Sequence, residues 1–188
     1  LNSKKGPDAE IYTSMESVGT AAEYIRDGLD YPAWQANVVK LLDAGITVHC
    51  MCTINALCLP DLSEHLDYLV DLKKIYGREK INFTLNILRF PSFQSPLVLS
   101  AELREQFKMD LAQWMVRHKG YSYLHEHEIN HTQRLIDYLD VVKTPHSDAF
   151  EMPKLLKDFQ QFYSQYDARR NKDFAVAFPK LKQWYNSL

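Results

Sequence analysis

The run His127-Glu128-Ile129-Asn130-His131 matches H-E-x-x-H. On a helix, histidines at i and i+4 share a face and can chelate zinc, and the glutamate between them can act as a general base. The chemistry would be peptide hydrolysis through a metal-activated water. The neighbouring residues support a different reading. The apolar stripe of this helix runs through Ile129, Thr132, Ile136 and Leu139. At about 100° per residue, both histidines fall well over 90° from the centre of that stripe. They are expected on a solvated, charged face, in the run H-E-H-E. His146 and Asp137 are the third ligands to hand, and neither stands out. With seven histidines in the chain, a chance match is easy. No metal-ligating set is therefore expected here.

A second group of polar residues sits at the ends of three strand-like segments: Ser14, Glu16, Arg26, Thr53, Asn55, Asn86 and Arg89. Glu16 offers acceptors for ribose hydroxyls, and Arg26 can grip a carboxylate through both arms of its guanidinium. The alternative is ordinary capping and ion pairing at loop ends. Cys50, Cys52 and Cys58 lie close together, with Cys50 and Cys52 on one face of a strand. Their spacing matches no common zinc or iron-sulfur pattern, so reduced buried thiols are expected. Arg169 to Lys172 forms a basic turn that could hold phosphate or RNA, although such runs are more often solvated surface.

The elements that position these groups are legible. Ile46 to Asn55 alternates apolar with small or polar residues and reads as a strand buried on at least one face. Glu10 to Glu16 and Asn82 to Arg89 read the same way. Helical sequence separates the three, with a short helix at Ala21 to Asp27 and longer ones at Tyr31 to Asp43 and from Asp61 to Gly77. D-L-S-E at Asp61 to Glu64 resembles a capping box. This order predicts an α/β fold with parallel strands joined by crossover helices, and ligands at the carboxyl ends of the strands. Arg89 to Pro96 (R-F-P-S-F-Q-S-P) is an apolar loop suited to closing over a ligand or packing on another domain. The rest predicts helices at Ser100 to His118, Tyr121 to Lys143, Met152 to Tyr166 and Phe178 to Tyr185. The division expected is 1–98 for the strand region and 99–188 for a mainly helical C-terminal region.

Composition narrows the function classes. With 22 basic and 24 acidic residues the net charge is −2, which gives no overall electrostatic argument for nucleic acid, and no such partner is expected. No apolar run approaches a membrane span, and no secretory leader is visible, so a cytoplasmic location without a membrane partner is expected. The polar start L-N-S-K-K-G-P-D, without Met, reads as a processed chain or a fragment.

Three runs carry a family resemblance: E-Y-I-R-D-G-L-D-Y-P-A-W-Q-A-N-V-V-K-L-L, C-T-I-N-A-L-C-L-P-D-L and F-T-L-N-I-L-R-F-P-S-F-Q-S-P. With the C-terminal Q-F-Y-S-Q-Y-D-A-R-R-N-K-D-F-A-V-A-F-P-K-L-K-Q-W-Y, they resemble the later barrel half and tail of radical S-adenosylmethionine (radical SAM) proteins, the twitch-domain-containing type closest. The resemblance implies the C-terminal half of a partial (β/α) barrel. It also implies an oxidoreductase in which a 4Fe-4S cluster cleaves S-adenosylmethionine to a 5′-deoxyadenosyl radical that abstracts hydrogen from substrate. Ser14 or Glu16 would then contact the ribose, Arg26 the methionine carboxylate, Asn55 the fifth-strand tip of the site, and Leu88 with Phe90 the adenine.

The sequence departs from that family in two places. The C-x-x-x-C-x-x-C cluster motif is absent, so the cluster ligands are expected outside this chain. Many relatives have S-x-D-G at the fourth strand where this chain has Ser14-Met15-Glu16-Ser17. Half a barrel leaves open sheet edges, and a preceding segment or a partner chain should complete it. The substrate is unknown, with a peptide or protein among the candidates. Two alternatives stand beside this reading: an H-E-x-x-H zinc hydrolase, and a non-catalytic protein-binding module using the Arg89 to Pro96 loop and the aromatic tail.

Overall fold

The computed structural model of the chain describes residues 9–118, 120, 122–141 and 151–188. Three parallel strands form one sheet in chain order: β1 (Glu10–Ser14), β2 (Thr47–Ile54) and β3 (Ile81–Ile87). Helices α1 (Gly19–Ile25) and α2 (Tyr31–Asp43) carry the chain from β1 to β2, and α3 (Leu62–Tyr76) carries it from β2 to β3. The predicted α/β class and helical C-terminal region are both present.

Local chemistry sets the element ends. Asp30 caps α2 by accepting the Ala33 N–H at 2.8 Å, with Pro32 in the first turn, where its missing N–H does no harm. Gly45, at φ 78°, turns the chain back so that Ile46 N donates to Leu41 O at 3.0 Å. The capping box expected at Asp61 does not form. A 3-10 turn at Leu59–Asp61 precedes α3, and the Asp61 carboxylate pairs with Lys180 at 3.0 Å instead.

Alternation along the strands gives the sheet two different faces. Val48, Cys50, Cys52 and Ile54 of β2, with Ile81, Phe83 and Leu85 of β3, are buried. On β1, Thr13 accepts a 2.9 Å hydrogen bond from Trp34 of α2, so it points the same way, toward the covering helices. The intervening residues face the other side in register: Tyr12, His49 and Asn82 in one row, Ser14, Met51 and Thr84 in the next, then Thr53 beside Asn86. Tyr12 is 63% exposed and Met51 41%. Among the described residues, no helix covers this face in the way α2 and α3 cover its reverse.

The sheet's two edges also differ. Helix α5 (Glu126–Leu139) lies along the outer edge of β3. Phe83 N donates to Glu128 Oε1 at 2.9 Å, Leu85 N to His131 Nδ1 at 3.3 Å, and Arg134 donates to Leu85 O at 2.6 Å. Side chains thus take the place of the next strand. Among the described residues, β1 pairs only with β2.

Helix α4 (Ala101–His118) backs α5 and β3 with Phe107, Leu111, Trp114 and Met115. Helix α6 (Met152–Arg170), α7 (Phe174–Ala177) and α8 (Lys182–Tyr185) gather Phe159, Tyr163, Phe174 and Phe178 around Tyr24 of α1. Three sequence boundaries need correction. Helix α6 runs on to Arg170, so half of the predicted basic turn is helix. Of the predicted Phe178 to Tyr185 helix only Lys182–Tyr185 is helical, and a separate short helix, Phe174–Ala177, ends just before it. The described α5 starts only at Glu126, and Tyr121 and Lys143 lie outside the described residues. Among the described residues, no helix is long and apolar enough to cross a membrane.

Candidate functional site

The rim at the carboxyl ends of the strands is where the predicted residues gather. Beyond Ser14 the chain keeps its course for one more residue, with Met15 N donating to Met51 O at 3.3 Å. Met15, Glu16 and Ser17 are all buried. Seven residues of α1 span only about 10 Å at 1.5 Å per residue, so the helix returns Arg26 to the end of β1. There the Arg26 guanidinium meets Glu16 Oε2 at 2.7 Å. Glu16 is 3% exposed. Two groups expected as separate ligand contacts are therefore a neutralised pair. Arg26 remains one-third open to solvent, and its Nε is buried without a partner, so the guanidinium keeps donor capacity beyond Glu16.

Asn55 follows β2 and is half-buried. Its side-chain oxygen accepts from Leu57 N at 2.8 Å and Cys58 N at 3.2 Å, an Asx turn that starts the loop toward α3. Asn55 and Ile25 share the lining of a cavity of about 150 Å³ with Tyr24, Gln94, Phe162 and Tyr166. Ser14 lies on the open face, one row below Thr53 and Asn86. Leu88 is half-buried, its N–H bonded to Ile54 O at 2.8 Å. Phe90 projects into solvent at 83% exposure, and Arg89 lies over the Tyr138 ring at 5.6 Å.

The lower end of the open face carries a group that sequence reasoning missed. Tyr12 and His49 stack at 4.4 Å. His49 Nδ1 is 2.7 Å from Asn82 Oδ1, and Nε2 approaches Glu10 at 3.2 Å without hydrogen-bond alignment. The period-2 polar positions in all three strands were the signal available for it, because they mark a second face with its own chemistry.

The H-E-x-x-H residues do a structural job. Glu128 is fully buried, contrary to the solvated run expected, and it makes three contacts: Lys73 at 2.8 Å, the Phe83 N–H, and the His125 N–H at 2.8 Å. His131 is half-buried against Leu85, and burial, then the nearby Arg134, holds its pKa below the usual histidine value. Only His127 has the exposed position expected of both. Asp137 accepts from Gln133 at 2.8 Å, and His146 lies outside the described residues.

The basic turn is tied down in the same way. Lys172 reaches Asp27 at 2.9 Å, and Arg170 pairs with the same carboxylate. Lys172 also donates to Glu23 O at 2.6 Å, locking α6 to the end of α1. The three cysteines are buried and free, as expected. Cys50 and Cys52, however, converge with His65 of α3, their ligand atoms all within 4.8 Å of one another. Comparison with protein families, curated proteins and solved structures gives no match for this chain.

Proposed function

We propose that these residues are the later half of a radical SAM oxidoreductase barrel, with the open face of the sheet as part of its inner wall. The observation that carries the reading is the sheet itself. Parallel sheets are ordinarily covered on both faces. This one has one covered face, one polar and exposed face, and one edge sealed by α5. Further strands can then join only beside β1, which would curl the exposed face inward and close an edge otherwise open to aggregation. A preceding segment or a partner chain would supply them.

The two cofactors fit this chain differently. Cys50, Cys52 and Cys58 are buried behind the sheet and wrongly spaced, so they do not suit a 4Fe-4S cluster, whose ligands would have to come from outside this chain. S-adenosylmethionine does suit the rim. Arg26 would hold its carboxylate with the donors that Glu16 leaves free on the solvent-open third of the side chain. Glu16, which is buried, would orient Arg26, and it would reach a ribose only if the rim opens on binding. Asn55 would border the site through the loop its Asx turn shapes, and Ser14 would line the wall below. Leu88 and Phe90 would offer apolar surface to the adenine. When bound, the cofactor supplies the radical chemistry, and the protein's part is orientation and exclusion of water. The zinc-hydrolase alternative loses its base, because Glu128 is sealed between Lys73 and the β3 edge.

The test is anaerobic. The full-length protein, reconstituted with iron and sulfide and reduced, should convert S-adenosylmethionine to 5′-deoxyadenosine, measured by chromatography and mass spectrometry. A cluster-loaded protein that neither binds nor cleaves S-adenosylmethionine would refute the assignment.

A further inference from the structure

Behind the sheet, Cys50 and Cys52 of β2 turn toward His65 of α3. All three side chains are buried. The spacing C-x-C with a histidine on the next helix belongs to no common metal motif, and only the fold brings the three together.

We infer that Cys50, Cys52 and His65 form a structural zinc(II) site. The first argument is geometric. Tetrahedral zinc with Zn–S of about 2.3 Å and Zn–N of about 2.05 Å places sulfur and nitrogen ligands about 3.6 Å apart. Cys50 Sγ and His65 Nε2 are 3.6 Å apart. Structural zinc is four-coordinate, so a fourth ligand is needed, and an oxygen ligand would stand about 3.6 Å from the sulfur by the same construction. The carbonyl oxygen of Met15 is 3.5 Å from Cys50 Sγ and is placed to serve.

Burial is the second argument. His65 is wholly buried and turns its Nε2 toward the thiols, where sulfur is its only polar neighbour among the described residues, so a metal ion there would satisfy a nitrogen withdrawn from water.

Charge selects the ion. Two thiolates and a neutral imidazole around zinc(II) sum to zero, which an apolar core tolerates. Copper(I) in the same set would leave a buried net negative charge, which it does not. Because the site is closed to solvent, the ion would enter as the chain folds and would add its binding energy to folding. None of this depends on the barrel reading.

The experiment uses untagged full-length protein from zinc-supplemented medium, analysed for metal by mass spectrometry. The same protein is then unfolded, stripped and refolded with cobalt(II). One zinc per chain is expected, with thiolate-to-cobalt charge-transfer absorption in the near ultraviolet. Cys58→Ser and His131→Ala should keep the metal, and Cys52→Ser and His65→Ala should lose it. If the last two variants fail to fold, the cobalt spectrum of a full-length protein with every cysteine outside this chain replaced by serine decides, because only Cys50, Cys52 and Cys58 can then produce that band. Folded wild-type protein without zinc, cobalt-refolded protein without the band, or undiminished zinc in a folded Cys52→Ser variant would each overturn the inference.

Discussion

The Lys73–Glu128 pair offers the sharpest test of how this chain closes its sheet. Both side chains are 0% exposed and lie 2.8 Å apart. Lys73 Nζ has no aligned hydrogen-bond partner, so the contact is an ion pair held mainly by charge. Burial lowers the lysine's pKa, and Glu128 opposes that shift. Removing one member strands the other, which costs roughly 3–5 kcal/mol in buried pairs. Lys73→Met should therefore lose that amount, about a fifth or more of the roughly 5–15 kcal/mol typical of a folded protein. Glu128→Gln should lose at least as much. It strands the lysine and gives up one of the two N–H groups that Glu128 accepts from, Phe83 or His125. The double variant Lys73→Met/Glu128→Gln has no stranded charge. It should cost only the lost acceptor, about 1–3 kcal/mol, and be more stable than either single change.

Urea unfolding followed by far-ultraviolet circular dichroism measures all four proteins, provided the denaturant slope is unchanged. Costs that add to within about 0.5 kcal/mol would mean that the two groups do not depend on one another. The account of α5 as a substitute strand would then fail. A Glu128→Gln variant of wild-type stability would fail it too, and would return this glutamate to candidacy as a catalytic base.

Two further outcomes follow from the rim and from α5. Arg26→Lys keeps a cation beside buried Glu16 but removes the fork, so S-adenosylmethionine should bind the cluster-loaded full-length protein about tenfold more weakly, which is 1.4 kcal/mol; unchanged affinity by calorimetric titration would remove Arg26 from the site. His131 has a folded pKa below its unfolded one, so the unfolded chain takes up the proton first, and stability should fall as pH drops below about 6.5. Urea midpoints across pH 5–8 should show this loss, and it should shrink in His131→Gln; an identical pH profile in that variant would contradict it.

What the sequence disclosed and what it hid divide along a physical line. Period-2 alternation in the three strands and the helical sequence between them are local, and the sheet with its crossover helices was read from them. Lys73 stands between Leu72 and Lys74 near the end of an amphipathic helix and looks like surface. Its burial is decided by Glu128, fifty-five positions along the chain (128 − 73), which no helical wheel can reveal. The same limit explains Glu128 itself, since the stripe through Ile129 and Ile136 marks what faces the apolar core but not what faces a strand edge. Glu16 and Arg26 were both found as rim residues. Their mutual neutralisation was missed because it depends on how sharply α1 folds back. Cys50 and Cys52 were correctly placed on one face, but His65 was invisible because it belongs to the next helix.

The open face gives a direction as well as a surface. At its lower end His49 is fixed by Tyr12, Asn82 and Glu10, so that row spends its polar groups on one another. Higher up, among the described residues, the side chains of Ser14, Thr84, Thr53 and Asn86 have no hydrogen-bond partner in the protein. Unspent capacity is therefore not confined to one end: His49 Nε2 below and Arg26 Nε at the rim are both buried without an aligned partner. What distinguishes the two ends is exposure, since Ser14, Thr53 and Asn86 are open to solvent while His49 is partly covered. Under the reading proposed above, a ligand would sit at the exposed end, where parallel sheets bind theirs.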